Sequence, residues 1–154
     1  FILEHDAIRK IPWDIILLFG GGFALAEGFV SSGLSQIIGQ QFASLKGVNI
    51  IFVIAAICTV MTYLTELTSN TATTQVILPI LASLALELQI NPMLIMIPAT
   101  ISASFAFMLP VGTPPNAIVF SSQRLRVADM AKSGMAINIF GIITVTLFTY
   151  FFFT

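Results

Sequence analysis

Five long stretches of this chain carry no charged side chain: Gly28 to Leu45, Gly47 to Thr65, Leu67 to Leu86, Leu88 to Gln123 and Ser133 to Thr154. A helix that crosses the hydrocarbon core of a bilayer needs about 20 mostly apolar residues, and several of these stretches supply that length. With 57% hydrophobic and 8% charged residues, and a mean hydropathy of +1.01, the chain has too few polar groups to cover a water-soluble domain. The segments Ile50 to Val60 and Ile137 to Phe153 are apolar on nearly every face. Barrel strands would alternate apolar and polar positions, so the expected fold is an all-α polytopic membrane protein.

The same inventory excludes other classes. A formal charge of −1 offers no basic field, and the 14 Phe sit in apolar runs rather than between Arg and Lys, so nucleic acid is not an expected partner. Cys58 is the only cysteine, which rules out an internal disulfide or a multi-cysteine zinc site and reads as a buried, inert thiol. His5 is the only histidine and lies in a polar opening segment, where a metal site has no support. No Ser-His-Asp pattern, Walker loop or usefully spaced carboxylate pair occurs, so no enzyme is expected. The opening residues show no initiator Met and no signal-peptide pattern, and the chain reads as a piece of a longer protein.

Arg9 and Lys10, followed by Pro12 and Trp13, predict a basic loop, an interfacial aromatic and a span over 13–38. The Gly20-Gly21-Gly22 run inside it invites close helix packing. After Lys46, Gly47 and Asn49, two apolar arms flank the polar knot from Thr65 to Thr74. That pattern predicts a re-entrant hairpin over 49–88 with its tip near 68–71. Asn91-Pro92 marks a turn. A span over 92–121 is then broken by Pro110-Val111-Gly112-Thr113-Pro114-Pro115-Asn116, where three prolines and a glycine cannot continue an α-helix. Freed backbone at membrane depth is tolerated only against protein or a hydrated cavity. Arg124, Arg126 and Lys132 mark a cytoplasmic loop before the last span over 133–153, and this orientation also puts Arg9 and Lys10 inside.

The two discontinuities carry the chemistry. Arms that end at a break offer free carbonyl oxygens to a cation, and half-helices that begin there, after Asn70 or Pro115, offer unpaired N–H groups and a positive dipole end to an anion. Sodium prefers oxygen, and its candidate ligands are the carbonyls or hydroxyls of Thr65 and Thr68, the amide oxygen of Asn70 and the carbonyl of Gly112. Ser69, Asn70, Thr71 and Thr113 are candidate donors to a carboxylate. The structural alternative is that these hydroxyls bond back to their own helices and Asn70 ties helices together, which two neighbouring breaks make less economical. Glu66 is the deepest acid; it is either a proton-coupling group or, preferentially, a structural one hydrogen-bonded to the absent part of the protein. Glu27 raises the same question more weakly, and Glu87 reads as interfacial.

Thr65-Glu66-x-x-Ser69-Asn70-Thr71 and the stretch from Ser104 to Phe120, with Pro110-Val111-Gly112-Thr113-Pro114-Pro115-Asn116 at its centre, closely resemble the divalent anion:sodium symporter family. The likeness begins at Pro12-Trp13 and continues to Val127-Ala128-Asp129-Met130. It implies the second of two inverted repeats in an elevator-type transporter, with the first, N-terminal repeat missing, a homodimeric assembly and a lipid surround in the plasma (inner) membrane. Carried over, Thr65, Thr68, Asn70 and Gly112 would line a sodium site, and Ser69, Asn70, Thr71, Thr113 and Pro114 would face the substrate. Gly112 stands where the family has alanine. Thr113 stands where sulfate carriers tend to have asparagine, which favours a di- or tricarboxylate of the succinate, malate or citrate class. The implied function is sodium-coupled carboxylate symport; an exchanger, a proton-coupled carrier, a sulfate transporter and a non-transporting membrane fragment are the alternatives.

Overall fold

The computed structural model describes residues 11, 13–41 and 47–153. His5, Arg9, Lys10 and Lys46, on which parts of the sequence reading rest, lie outside the described residues. All regular elements described are helices: α1 Trp13–Ser31, α2 Leu34–Gln41, α3 Ile50–Thr65, α4 Asn70–Leu88, α5 Met93–Ser102, α6 Pro114–Ser121 and α7 Val127–Phe153.

The expected single span over 13–38 is interrupted. Gly33 takes the left-handed backbone conformation (φ +74°) that only glycine adopts cheaply. The hydroxyls of Ser31 and Ser32 bond back to the carbonyls of Gly28 and Phe29, at 3.5 and 3.4 Å. Hydroxyls that compete for the last carbonyls and a glycine that reverses the chain end α1 at Ser31. The last helix, by contrast, starts at Val127 rather than near 133, because Asp129 suits the positive end of a helix and Arg126 pairs with it. At 27 residues, α7 is about 40 Å long. Both α4 and α7 are long and apolar enough to cross a membrane.

Local chemistry sets the remaining ends. Asn49 caps α3 by accepting from the Ile51 N–H at 3.1 Å. Gln89, at φ 57°, closes α4 in the left-handed conformation, and the Ile90 N–H reaches back to the Ala85 carbonyl at 3.0 Å. Pro79 and Pro98 lie within α4 and α5, each removing one donor from its helix.

One core joins four helices: Val53, Ile54, Cys58 and Met61 of α3, Leu81, Leu84 and Ala85 of α4, Ile95 and Ala99 of α5, and Val145 of α7. Helix α3 packs against both α5 and α7, while α1 and α2 pack on α4. The glycine run of α1 is used unequally. A side chain at Gly22 would overlap the Gln75 amide of α4, whereas Gly20 and Gly21 meet nothing within 4 Å. Large apolar side chains such as Leu17, Phe52, Val111, Ile118, Phe140 and Phe151 are exposed. A surface of that kind fits lipid or further protein rather than water.

Candidate functional site

The chain leaves helix α3 at Thr65 and re-enters helix at Asn70, and Leu67 to Thr71 form one wall of the site. Thr68 Oγ1 donates to the Leu64 carbonyl at 2.7 Å and lies 2.6 Å from Thr73 Oγ1, tying the end of α3 to the start of α4. Ser69 is extended (φ −71°, ψ 125°) and caps α4, its hydroxyl oxygen accepting from the Ala72 N–H at 3.5 Å. Because the chain is extended there, the N–H groups of Asn70 and Thr71 have no carbonyl one turn back to bond. Asn70 Oδ1 is buried and has no hydrogen-bond partner among the described residues.

The opposite wall is the eleven-residue gap between α5, which ends at Ser102, and α6, which starts at Pro114. Its turns close with the Phe105 N–H on the Ser102 carbonyl and the Gly112 N–H on the Leu109 carbonyl, at 3.0 and 3.1 Å. Asn116 Nδ2 reaches back from α6 to the carbonyls of Ala106 and Leu109, at 2.6 and 3.0 Å. Thr113 caps α6, its hydroxyl oxygen accepting from the Asn116 N–H at 3.4 Å. Here the sequence reading needs correction. Pro114 and Pro115 have no N–H, the Asn116 N–H is taken by Thr113, and the Ala117 N–H bonds the Thr113 carbonyl at 3.2 Å. The start of α6 therefore offers an anion the Thr113 hydroxyl and the helix dipole, but no free main-chain donor.

The two walls face each other across an open cavity of about 930 Å³. Thr68, Ser69, Asn70, Thr71, Gly112, Thr113 and Pro114 line it together with Pro110, Val111 and Phe120. Thr65 is not among the lining residues. It is fully buried, and its hydroxyl donates to the carbonyls of Met61 and Thr62, at 3.0 and 3.1 Å. For a hard cation, the fit rests first on Asn70, whose buried amide oxygen is otherwise unsatisfied, and on Gly112, which lines the opposite wall of the same cavity and has a carbonyl to offer. The Thr68 hydroxyl is already engaged. A methyl group at Gly112 would stand 3.2 Å from Ala106 Cβ and 3.3 Å from Glu66 Oε2. That is tight but tolerable with a small shift, so glycine here loosens the wall slightly without altering its carbonyl.

Glu66 was expected to find its partner in the absent part of the protein. Three donors among the described residues of this chain reach it. It is 4% exposed, and it accepts from the N–H groups of Met108 and Leu109, at 2.9 and 3.1 Å, and from Asn138 Nδ2 at 2.8 Å. Glu27, by contrast, is exposed on α1.

Asn116, Asn138, Gly134 and Thr73 act in this arrangement without having been singled out from sequence. Gly134, Asn138 and Gly141 lie along one face of α7 at spacings of four and three residues. A side chain at Gly134 would overlap the Phe107 carbonyl oxygen, and one at Gly141 would stand 2.7 Å from the Phe105 ring. The signal that could have found Asn138 is its isolation: an amide inside the long apolar run of α7 is costly unless it has a buried partner.

Residues 2–154 match the family described as the sodium:sulfate symporter transmembrane region. The sodium-dependent dicarboxylate transporter SdcS of Staphylococcus saprophyticus is 43% identical over 150 residues, which is 97% of this chain and 29% of that protein. The protein of the same name from Staphylococcus aureus (strain USA300) is 44% identical over the same shares. The chain thus spans less than a third of the length of these relatives.

Proposed function

Because the chain belongs to the sodium:sulfate symporter transmembrane family, we propose that it forms the second half of a sodium-coupled symporter for a di- or tricarboxylate. The site is built where the two helix breaks meet. Asn70 carries most of the support, since its buried Oδ1 has no partner among the described residues and its residue opens α4 toward the same cavity. The amide can ligate the cation through oxygen and donate to the carboxylate through nitrogen, so one side chain links the two cargoes. Gly112 adds a carbonyl to the cation, with Thr65 and Thr68 at the same tip. The substrate takes its hydrogen bonds from Ser69, Asn70, Thr71 and Thr113 and packs on Pro114. Relatives named as dicarboxylate transporters favour a carboxylate over sulfate.

The remaining half of the site comes from the missing N-terminal repeat, and the assembly is a homodimer in the plasma membrane that moves its cargo by an elevator-like shift. Glu66 gives little support to the proton-coupled alternative. Both of its oxygens are already engaged, accepting hydrogen bonds from the Met108 and Leu109 N–H groups and from Asn138 Nδ2, which is a structural role.

The test is uptake of labelled succinate and citrate by proteoliposomes containing the full-length protein, under an inward sodium gradient and then with potassium in place of sodium. Sodium-dependent uptake that Asn70→Ala abolishes supports the proposal. Equal uptake in potassium overturns symport, and normal sodium-dependent uptake by the variant overturns the site.

A further inference from the structure

We propose that Glu66 is a positioning residue: it clamps the unwound segment between α5 and α6 to the hairpin tip and to α7, and so holds the Gly112 carbonyl where the cation binds. The inference rests on the proposed function for its transport readout and on geometry alone for the rest.

The unwound segment has few means of holding its own shape. Between Phe105 and Thr113 the chain has left α5 and not yet begun α6, so the N–H groups of Met108 and Leu109 have no helical acceptor. Both donate to the same carboxylate, which belongs to a residue more than forty positions earlier in the chain. Glu66 directly follows α3 and precedes the residues of the tip, so its side chain ties the tip to the unwound segment behind the cavity. A third donor, Asn138 Nδ2, fixes the carboxylate from α7. Asn138 is itself fully buried. One turn away on the same face, Gly134 lets α7 touch the main chain at Phe107 and Met108, so the segment is gripped from two sides.

The clamp also lies directly behind the site. Glu66 Oε2 stands 3.3 Å from the position a Gly112 side chain would occupy, so the buried carboxyl group backs the proposed cation ligand. Glutamine has nearly the same shape but only one acceptor oxygen. Its amide NH₂ would oppose a main-chain donor, so Glu66→Gln breaks at least one of the two bonds while leaving packing intact.

Hydrogen exchange followed by mass spectrometry on the full-length protein, with sodium activation of uptake measured on the same preparations, tests this. In Glu66→Gln, exchange at Met108 and Leu109 is expected to accelerate at least tenfold while α3, α5 and α7 keep their wild-type protection. Half-saturation by sodium is expected to rise about tenfold, which corresponds to about 1.4 kcal/mol, with maximal uptake within about twofold of wild type. Unchanged exchange in the 105–113 region overturns the clamp. Faster exchange there with unchanged sodium activation overturns its link to the cation. A merely altered pH profile, with both readouts unchanged, also overturns it and makes Glu66 a proton-coupling group. If wild-type uptake proves independent of sodium, the proposed function fails, and the exchange result still decides the clamp. If Glu66→Gln loses protection throughout, Asn138→Ala decides instead: it removes one donor of three, and a smaller acceleration confined to 105–113 is expected, whereas no change overturns the proposal.

Discussion

Adding one methyl group to α7 at Gly134 should disturb the site from behind. A Cβ built there overlaps the carbonyl oxygen of Phe107 and stands 2.5 Å from its carbonyl carbon and 2.7 Å from Met108 Cα. Carbon atoms in ordinary contact are about 3.5–4.0 Å apart, so α7 or the unwound segment must yield by roughly 1 Å. The obstructing atoms are main chain, and no side-chain rotation relieves them. Overpacking of this kind costs about 1–3 kcal/mol, and the rigid contact argues for the upper part of that range. Alanine recovers about 1 kcal/mol through helix propensity, leaving a net loss of about 1–2 kcal/mol for Gly134→Ala. Gly20→Ala is the matched comparison: nothing among the described residues lies within 4 Å of that position, so only the propensity gain is expected. Thermal unfolding of the full-length protein in detergent should therefore rank Gly134→Ala below wild type and Gly20→Ala at or above it. Under the proposed function, sodium half-saturation should rise for Gly134→Ala alone. Equal stability of the two variants, with unchanged sodium activation in both, would refute the claim that α7 sets the position of the segment through this contact.

Asn116→Leu removes the amide that bridges the Ala106 and Leu109 carbonyls. It should destabilise the protein by about 1–3 kcal/mol, the cost of leaving such acceptors unpaired, and lower sodium affinity, both readable in the same melting and uptake assays. Cys58 is fully buried in the core between α3, α5 and α7. Its thiol should resist N-ethylmaleimide in the folded protein and react on denaturation, which mass spectrometry would read directly; rapid labelling of the native protein would contradict the packing described.

Much of the fold was legible in the sequence because punctuation and hydropathy act locally. Gly47 and Asn49 precede a helix, Asn91-Pro92 precedes another, and the Pro-Gly-Thr-Pro-Pro run cannot lie inside one. The break at Gly33 was missed because its neighbours Ser31, Ser32, Ser35 and Gln36 are polar but uncharged, and the span was read from the absence of charge. The start of α7 was placed late because charge was used to mark the end of a loop, while Asp129 at a helix start is an electrostatic fit. At the site, the tip from Thr68 to Thr71 and the turn at Gly112-Thr113 were visible as clusters of oxygen-bearing residues. What holds them was not visible, since Glu66, Asn116 and Asn138 act across separations that no local pattern encodes. The two prolines that start α6 were legible as a helix breaker, and their lack of N–H groups could have been counted at once.

That lack gives the cleft two chemically unequal sides. The α4 side presents main-chain donors at Asn70 and Thr71, while the α6 side presents the Gly112 carbonyl with the Glu66 carboxylate behind it. Under the proposed function, an anion entering alone finds main-chain donors on one side and only the Thr113 hydroxyl and the helix dipole on the other, and a cation at the Gly112 carbonyl supplies the attraction that side lacks. Thermodynamic reciprocity then requires that whatever factor sodium adds to the affinity for carboxylate, carboxylate returns to sodium. The stoichiometric tie between the two cargoes would thus begin with two prolines that withhold their hydrogens.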